Sequence, residues 1–127
     1  MQKTGVIFAL IRDNKILMQQ RDGNTDRFPF KWCIPGGEKE ENEKWEDTLL
    51  REVKEEYNLD IEMNQCKYLM DYNNGLDKVY VCRINFTQVP KLQEGLAMKW
   101  MTIDEIEKLE LGFDQGGIIP ALKKELF

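Results

Sequence analysis

Apolar residues run almost unbroken from Thr4 to Arg12, TGVIFALIR, the pattern of a strand covered on both faces. Asp13 and Asn14 mark a turn into a second strand, Lys15 to Gln20, which Arg21 ends. Periodicity then vanishes. The segment from Asp22 to Lys31, DGNTDRFPFK, has turn chemistry, and an unpatterned loop of about ten residues is long enough to carry function.

At Trp45 the period becomes helical. Leu49, Leu50, Val53 and Tyr57 share one arc of a helix predicted over Trp45 to Tyr57, while Glu52, Glu55 and Glu56 occupy the adjoining arc, about 100° wide at ~100° per residue. Asn58 ends the helix, because asparagine tolerates the left-handed conformation at a helix end. Two long strands follow, Ile61 to Tyr72 and Leu76 to Thr87, joined by the hairpin signal Asn73-Asn74-Gly75. In the second of them Tyr80, Cys82, Ile84 and Phe86 are expected to form the more apolar face. A loop from Gln88 to Gly95 and a short strand from Ala97 to Met101 come next. Thr102 and Glu105 form a capping box that opens a short helix to about Lys108. Asp114 is placed to cap the last helix, whose Ile118, Ile119, Leu122 and Leu126 make one stripe. The order of elements predicts an α/β domain with a mixed sheet between helices.

Composition narrows the function. The 127 residues make one domain, with 18 Lys and Arg against 23 Asp and Glu for a net charge of −5, and no Lys/Arg run. A nucleic-acid polymer or an anionic membrane is a poor partner for such a chain, whereas a free nucleotide is not, since a bound cation inverts the local charge. No apolar run reaches the ~20 residues of a membrane span, and the start of the chain lacks a cleavable signal pattern, so a cytoplasmic location is expected. Cys33, Cys66 and Cys82 have no metal-binding spacing and are expected reduced. The chain has no histidine. Catalytic triads and His-based zinc sites are therefore excluded, and acid–base chemistry falls to carboxylates.

Those carboxylates are concentrated after the glycine pair Gly36-Gly37, in GGEKEENEKWEDTLLREVKEEYNL. Glu52 and Glu56 stand one helical turn apart and repel; a divalent cation relieves the repulsion, and an all-oxygen donor set favours Mg²⁺, Mn²⁺ or Ca²⁺. Arg51, one turn before Glu55, can fix that carboxylate. Glu43 near the helix start also suits the helix dipole whatever the chemistry. An isolated ExxEE would fit a solvated acidic face equally well. The longer pattern is expected by chance in only about one in 10⁵ to 10⁶ chains of this composition.

Gly37, Glu43, Arg51, Glu52, Val53, Glu55, Glu56 and Leu59 fall on the signature of the Nudix hydrolases, which this chain resembles over essentially its whole length. Asn58 stands where the family usually has glycine. Within the family the chain is most similar to the small mutator-type nucleoside triphosphate pyrophosphohydrolases, through Glu94 six residues before Trp100. The resemblance implies a Nudix-type α/β/α sandwich and hydrolysis of a nucleoside triphosphate to the monophosphate and pyrophosphate with Mg²⁺ or Mn²⁺. It further implies Glu52, Glu55, Glu56 and Glu94, with carbonyls of Gly36 and Gly37, as the metal shell. Catalysis is carried by these glutamates and Arg51, either Glu94 or a signature glutamate taking the proton of the attacking water. By the same resemblance Arg21 reaches a phosphate, and Trp32, Asp114 and Gln115 contact the base. Core packing would also account for Trp32, and helix capping for Asp114. ADP-ribose or another nucleoside diphosphate derivative is the alternative substrate, and a non-catalytic nucleotide-binding fold the alternative function; monomer and homodimer are equally open.

Overall fold

A computed structural model describes residues 2–126. Its centre is β1 (Gly5–Arg12), and the alternation along this strand divides the molecule into two cores. Val6, Phe8 and Leu10 point to one face with Leu17, Tyr80 and Cys82. Ile7, Ala9 and Ile11 point to the other with Ile16, Met18, Val79 and Val81. Helix α1 (Trp45–Tyr57) covers the first face through Leu49, Val53 and Tyr57. The second is covered by α2 (Ile103–Glu107) and α3 (Ile119–Leu126) through Ile103, Ile106, Ile119 and Leu122. A strand sandwiched this way has no polar face to show, which is why its sequence reads as one apolar run.

The sheet is mixed. β1 pairs parallel with β6 (Asp77–Arg83) and antiparallel with β2 (Lys15–Gln20) and β4 (Gly36–Glu38). β6 carries β5 (Cys66–Tyr72), while β2 carries the two-residue β3 (Trp32–Cys33) and β7 (Ala97–Met101). The expected turns take the expected conformations. Asp13 and Asn14 have φ of 54° and 58°, Asn73 and Asn74 53° and 58°, and Asn58 closes α1 at φ 54° with its N–H on the Lys54 carbonyl at 2.9 Å. The capping box of Thr102 and Glu105 is reciprocal. All three cysteines are free, and among the described residues no helix is long and apolar enough to cross a membrane.

Three expectations are corrected. The two middle strands are shorter than 61–72 and 76–87, because Met63–Gln65 forms a 3₁₀ turn capped by Glu62, and the Asn85 side chain accepts from the Thr87 and Gln88 amides to make a turn. Phe86 therefore lies outside β6 and is exposed, and β6 has no single apolar face: Val79 and Val81 are as buried as Tyr80 and Cys82. Asp114 does not cap the last helix, which begins at Ile119. It sits at φ 53° inside the 3₁₀ segment Gly112–Ile118, its carbonyl accepting from the Tyr72 hydroxyl at 2.5 Å.

The glycine pair is held against the central strand, Gly36 opposite Ile7 and Gly37 opposite Val6. A Cβ on Gly36 would collide with the Val6 carbonyl and the Ile7 Cα, which are backbone atoms at the centre of the sheet. Gly36→Ala is expected to destabilise the fold by roughly 1–3 kcal/mol, the cost of overpacking, seen as a lower urea midpoint with unchanged slope.

Candidate active site

Helix α1 presents its carboxylates along the side that faces β4. Glu52 and Glu56 are buried and Glu55 is exposed. The Glu52 carboxylate lies directly on Gly37, in the space a Cβ there would need. Gly37 is thus required for close approach of the carboxylate and not for a special dihedral.

Arg51 organises this edge. Its Nε and Nη2 donate to the two Glu43 oxygens at 2.7 and 2.8 Å, a bidentate pair. Nη1 donates to Glu52 at 2.8 Å and to Glu55 at 3.2 Å, and Nη2 also donates to the Glu38 carbonyl at 2.9 Å. One side chain ties the loop before the helix, the end of β4 and two signature carboxylates together. Glu43, which also accepts from Thr48 Oγ1 and the Glu40 amide, is held at a pKa of about 2, chiefly by its hydrogen bonds to Arg51. Its place is structural: it holds the arginine that holds the others.

Beyond the arginine, the carboxylates lack cationic partners. Burial, with the charge of Glu94 second, pushes Glu56 up to about 7, while a hydrogen bond from Gln19 pulls the other way. Glu52 is also raised, by burial and then by Glu55, in spite of Arg51. Glu94 reaches this position because its loop is sewn to the end of α1: the Gln93 amide donates to the Glu56 carbonyl and the Lys91 amide to the Tyr57 carbonyl, both at 2.9 Å. Gln19 completes the connection, donating to the Glu94 carbonyl at 2.7 Å and to the Glu56 carboxylate at 3.3 Å.

A cleft of about 960 Å³ opens between these groups, with Glu56, Glu94, Gly36 and Gly37 at one part of its wall and Arg21, Arg27 and Phe113 at another. Arg21 is tied into the loop that follows it, donating from Nε to the Arg27 carbonyl at 2.9 Å and from Nη2 to Thr25 Oγ1 at 2.7 Å. Gln115 reaches the cleft wall but is buried, its amide paired with the backbone of Ile34 at 2.6 and 2.9 Å. Trp32 and Asp114 are not part of the wall; Trp32 packs against the core under α2 and α3. Glu52 and Glu55 stand just behind the wall, on Gly37 and Arg51.

Among the described residues no group of three or more acidic or cysteine side chains is gathered closely enough to hold a metal ion by itself. The donor set nevertheless suits a hard cation such as Mg²⁺, which takes one or two carboxylates and fills its other positions with water and phosphate. Crowded, buried carboxylates with raised pKa values at an open cleft are the local charge pattern such an ion relieves.

Sequence reasoning missed Gln19, Arg27 and Phe113. Gln19 could have been found: period-two alternation puts it on the same face as Leu17, the buried face under α1, where a polar residue needs partners. No periodicity marks Arg27 or Phe113, which lie in irregular segments.

The model of the NUDIX domain matches residues 1–122. Curated proteins give no match. Among solved structures, MutT from work on Aliivibrio salmonicida and Vibrio cholerae superposes with a TM-score of 0.78 at 16% identity, covering 98% of this chain and 99% of that one. The NUDIX domain of Shewanella oneidensis NrtR, complexed with ADP ribose, gives 0.77 at 22% identity over 100% of this chain and 90% of that one. A bifunctional NMN adenylyltransferase/ADP ribose pyrophosphatase from Francisella tularensis, complexed with AMP and Mn ion, gives 0.72 at 22% identity; all of this chain matches 42% of that one. With the family model spanning β1 through the first half of α3, and so every wall of the cleft, the chain belongs to the NUDIX family, the Nudix hydrolases.

Proposed function

We propose that this Nudix hydrolase converts a nucleoside triphosphate and water to the nucleoside monophosphate and pyrophosphate. The observation that carries the reading is the lining of one cleft, which carries both charges: the carboxylates of Glu56 and Glu94 and the guanidinium groups of Arg21 and Arg27, together with the glycine pair. A polyphosphate carrying a divalent cation matches both: the cation meets the carboxylates and free phosphate oxygens meet the arginines. ADP ribose is the second reading, supported by the bound ligand of the similar Shewanella domain.

Glu52, Glu55 and Glu56, with a carbonyl of Gly36 or Gly37, would hold Mg²⁺ or Mn²⁺. When bound, such an ion neutralises phosphate charge and activates water. Arg51 keeps Glu52 and Glu55 oriented through Nη1 and is itself kept in place by Glu43. The proton of the attacking water goes to a carboxylate of this cluster, Glu94 or a signature glutamate; burial, with the charge of Glu94 second, raises Glu56 to about 7. Gln19, bonded to both residues, fixes their separation.

Glu55→Gln and Glu56→Gln should each lower kcat at least about a hundredfold, the scale of losing a charged group from such a site, with the fold intact. Wild-type turnover in both variants, measured as pyrophosphate release from a nucleotide panel, would reject the assignment. Gly37→Ala is expected to act on the same site from the other side. The atoms nearest the new methyl are those of the Glu52 carboxylate, which must shift, so the cost in stability should be smaller than for Gly36→Ala, where backbone stands in the way, while turnover falls more than about tenfold, as misplacement of a catalytic group predicts.

The metal-free protein should also lose stability as pH rises. Glu56 titrates at about 7 when folded, against an ordinary 4.5. Between those values the unfolded chain has released a proton that the folded protein retains, so each step up in pH favours unfolding; above 7 the effect is complete. The shift amounts to about 3 kcal/mol, and Glu43 adds nothing in this window because its depressed pKa acts only below 4.5. Urea unfolding in EDTA from pH 5 to 8 should show the decline, and Glu56→Gln should remove most of it. A flat profile in the wild type would contradict the burial and repulsion assigned to Glu56.

A further inference from the structure

Of the two arginines at the cleft wall, the one expected to reach phosphate is the more committed. Arg21 spends Nε on the Arg27 carbonyl and Nη2 on Thr25 Oγ1, and its backbone bonds Lys31 and Phe30 across the base of the loop. Thr25 Oγ1 in turn accepts from the Arg27 amide at 3.4 Å. The side chain of Arg27 has no hydrogen-bond or carboxylate partner among the described residues, so its five N–H donors are uncommitted.

It is nevertheless placed. The Arg27 guanidinium lies 5.2 Å from the centroid of Phe113 and 5.5 Å from that of Phe28, and the two rings pack at 4.8 Å. The Arg21 guanidinium lies over the same Phe113 ring at 4.7 Å. Phe28 and Phe113 both sit at left-handed backbone angles, φ 52° and 59°, a conformation that costs energy for a bulky residue and persists where the surroundings impose it. Two like charges thus lie over one aromatic ring at the wall of the cleft, and among the described residues neither has a carboxylate within ion-pair distance. An anion entering the cleft relieves that repulsion just as a cation would relieve the glutamates.

We infer that Arg27, stacked on Phe113, is the residue that binds the pyrophosphate portion of the substrate, and that Arg21 is a positioning residue that holds the Arg27 backbone in place. The assignment rests on the polyphosphate reading above for the identity of the anion, and on the loop geometry for the identity of the residue. Planar guanidinium forks match phosphate oxygens in pairs, and stacking on the ring reduces the freedom lost on binding.

The test is calorimetric binding of inorganic pyrophosphate to the full chain in EDTA, at constant ionic strength, so that neither turnover nor metal enters. Arg27→Gln is expected to weaken binding at least tenfold, and Arg27→Lys, which keeps the charge but loses the planar fork and the stacking, to recover only part of it. Arg21→Lys loses the bonds to Thr25 and the Arg27 carbonyl and is expected to weaken binding in the wild type but not further in the Arg27→Gln background, where a direct contact would cost binding again. Near-UV circular dichroism would confirm that each variant keeps its fold. Undiminished binding by Arg27→Gln, no pyrophosphate binding by the wild type, or full retention by Arg21→Lys would overturn the assignment. A wild type that binds pyrophosphate through Arg27 yet hydrolyses no nucleotide would instead sink the hydrolase reading and leave this one standing.

Discussion

One guanidinium holds the acidic edge of this molecule together. Arg51 offers its donors to Glu43, Glu52, Glu55 and the Glu38 carbonyl, so the end of β4, the loop before the helix and the helix itself share a single anchor. Isolated surface ion pairs contribute little. A bidentate pair within a network, two of whose carboxylates are largely buried, is a different case, because removing the arginine would leave several like charges facing one another. Arg51 does not neutralise the whole cluster. Glu56 and Glu94 lie beyond its reach, and this remainder of negative charge stays at the wall of the cleft.

The two-core sandwich explains how such a charged edge is tolerated. Leu49, Val53 and Tyr57 fasten α1 to the sheet with almost complete burial, Leu49 and Val53 each worth about 1.5–3 kcal/mol, while the Tyr57 hydroxyl has no hydrogen-bond partner among the described residues. The next arc of the same helix is therefore fixed at the margin of the core. Glu52 and Glu56 cannot swing into bulk water without lifting the helix, whereas Glu55 is exposed. Glycine at position 37 then lets Glu52 approach the backbone of β4 more closely than any side chain would permit. Apolar packing supplies the rigidity, and the acidic residues occupy the places that rigidity leaves at the cleft.

Much of this could be read from the residues, for identifiable reasons. The central strand, the helix from Trp45 to Tyr57, its asparagine end and the Thr102 capping box follow from local periodicity and capping chemistry, which act within a few residues. The lengths of β5 and β6 were not legible, since a 3₁₀ turn at Met63–Gln65 and an asparagine turn at Asn85 each replace a stretch that alternates like a strand. At the site, the helical glutamates and the glycine pair come from spacing, whereas Gln19 joins Glu56 and Glu94 only through pairing of distant segments. Arg27 and Phe113 meet from loops far apart in the chain. Asp114, placed by position near a base, instead turns its carbonyl to Tyr72, because the left-handed backbone before α3 reverses the chain there.

The central claim is that the carboxylates of this edge coexist by sharing a doubly charged ion. Calorimetric titration of the metal-free protein with Mn²⁺ at pH 7, in two buffers of different ionisation enthalpy, tests it directly. Since burial and the charge of Glu94 raise Glu56 to about 7, saturable binding with proton release is expected, visible as a buffer-dependent heat and lost in Glu56→Gln. Absence of saturable binding, or binding with the same heat in both buffers, would contradict it.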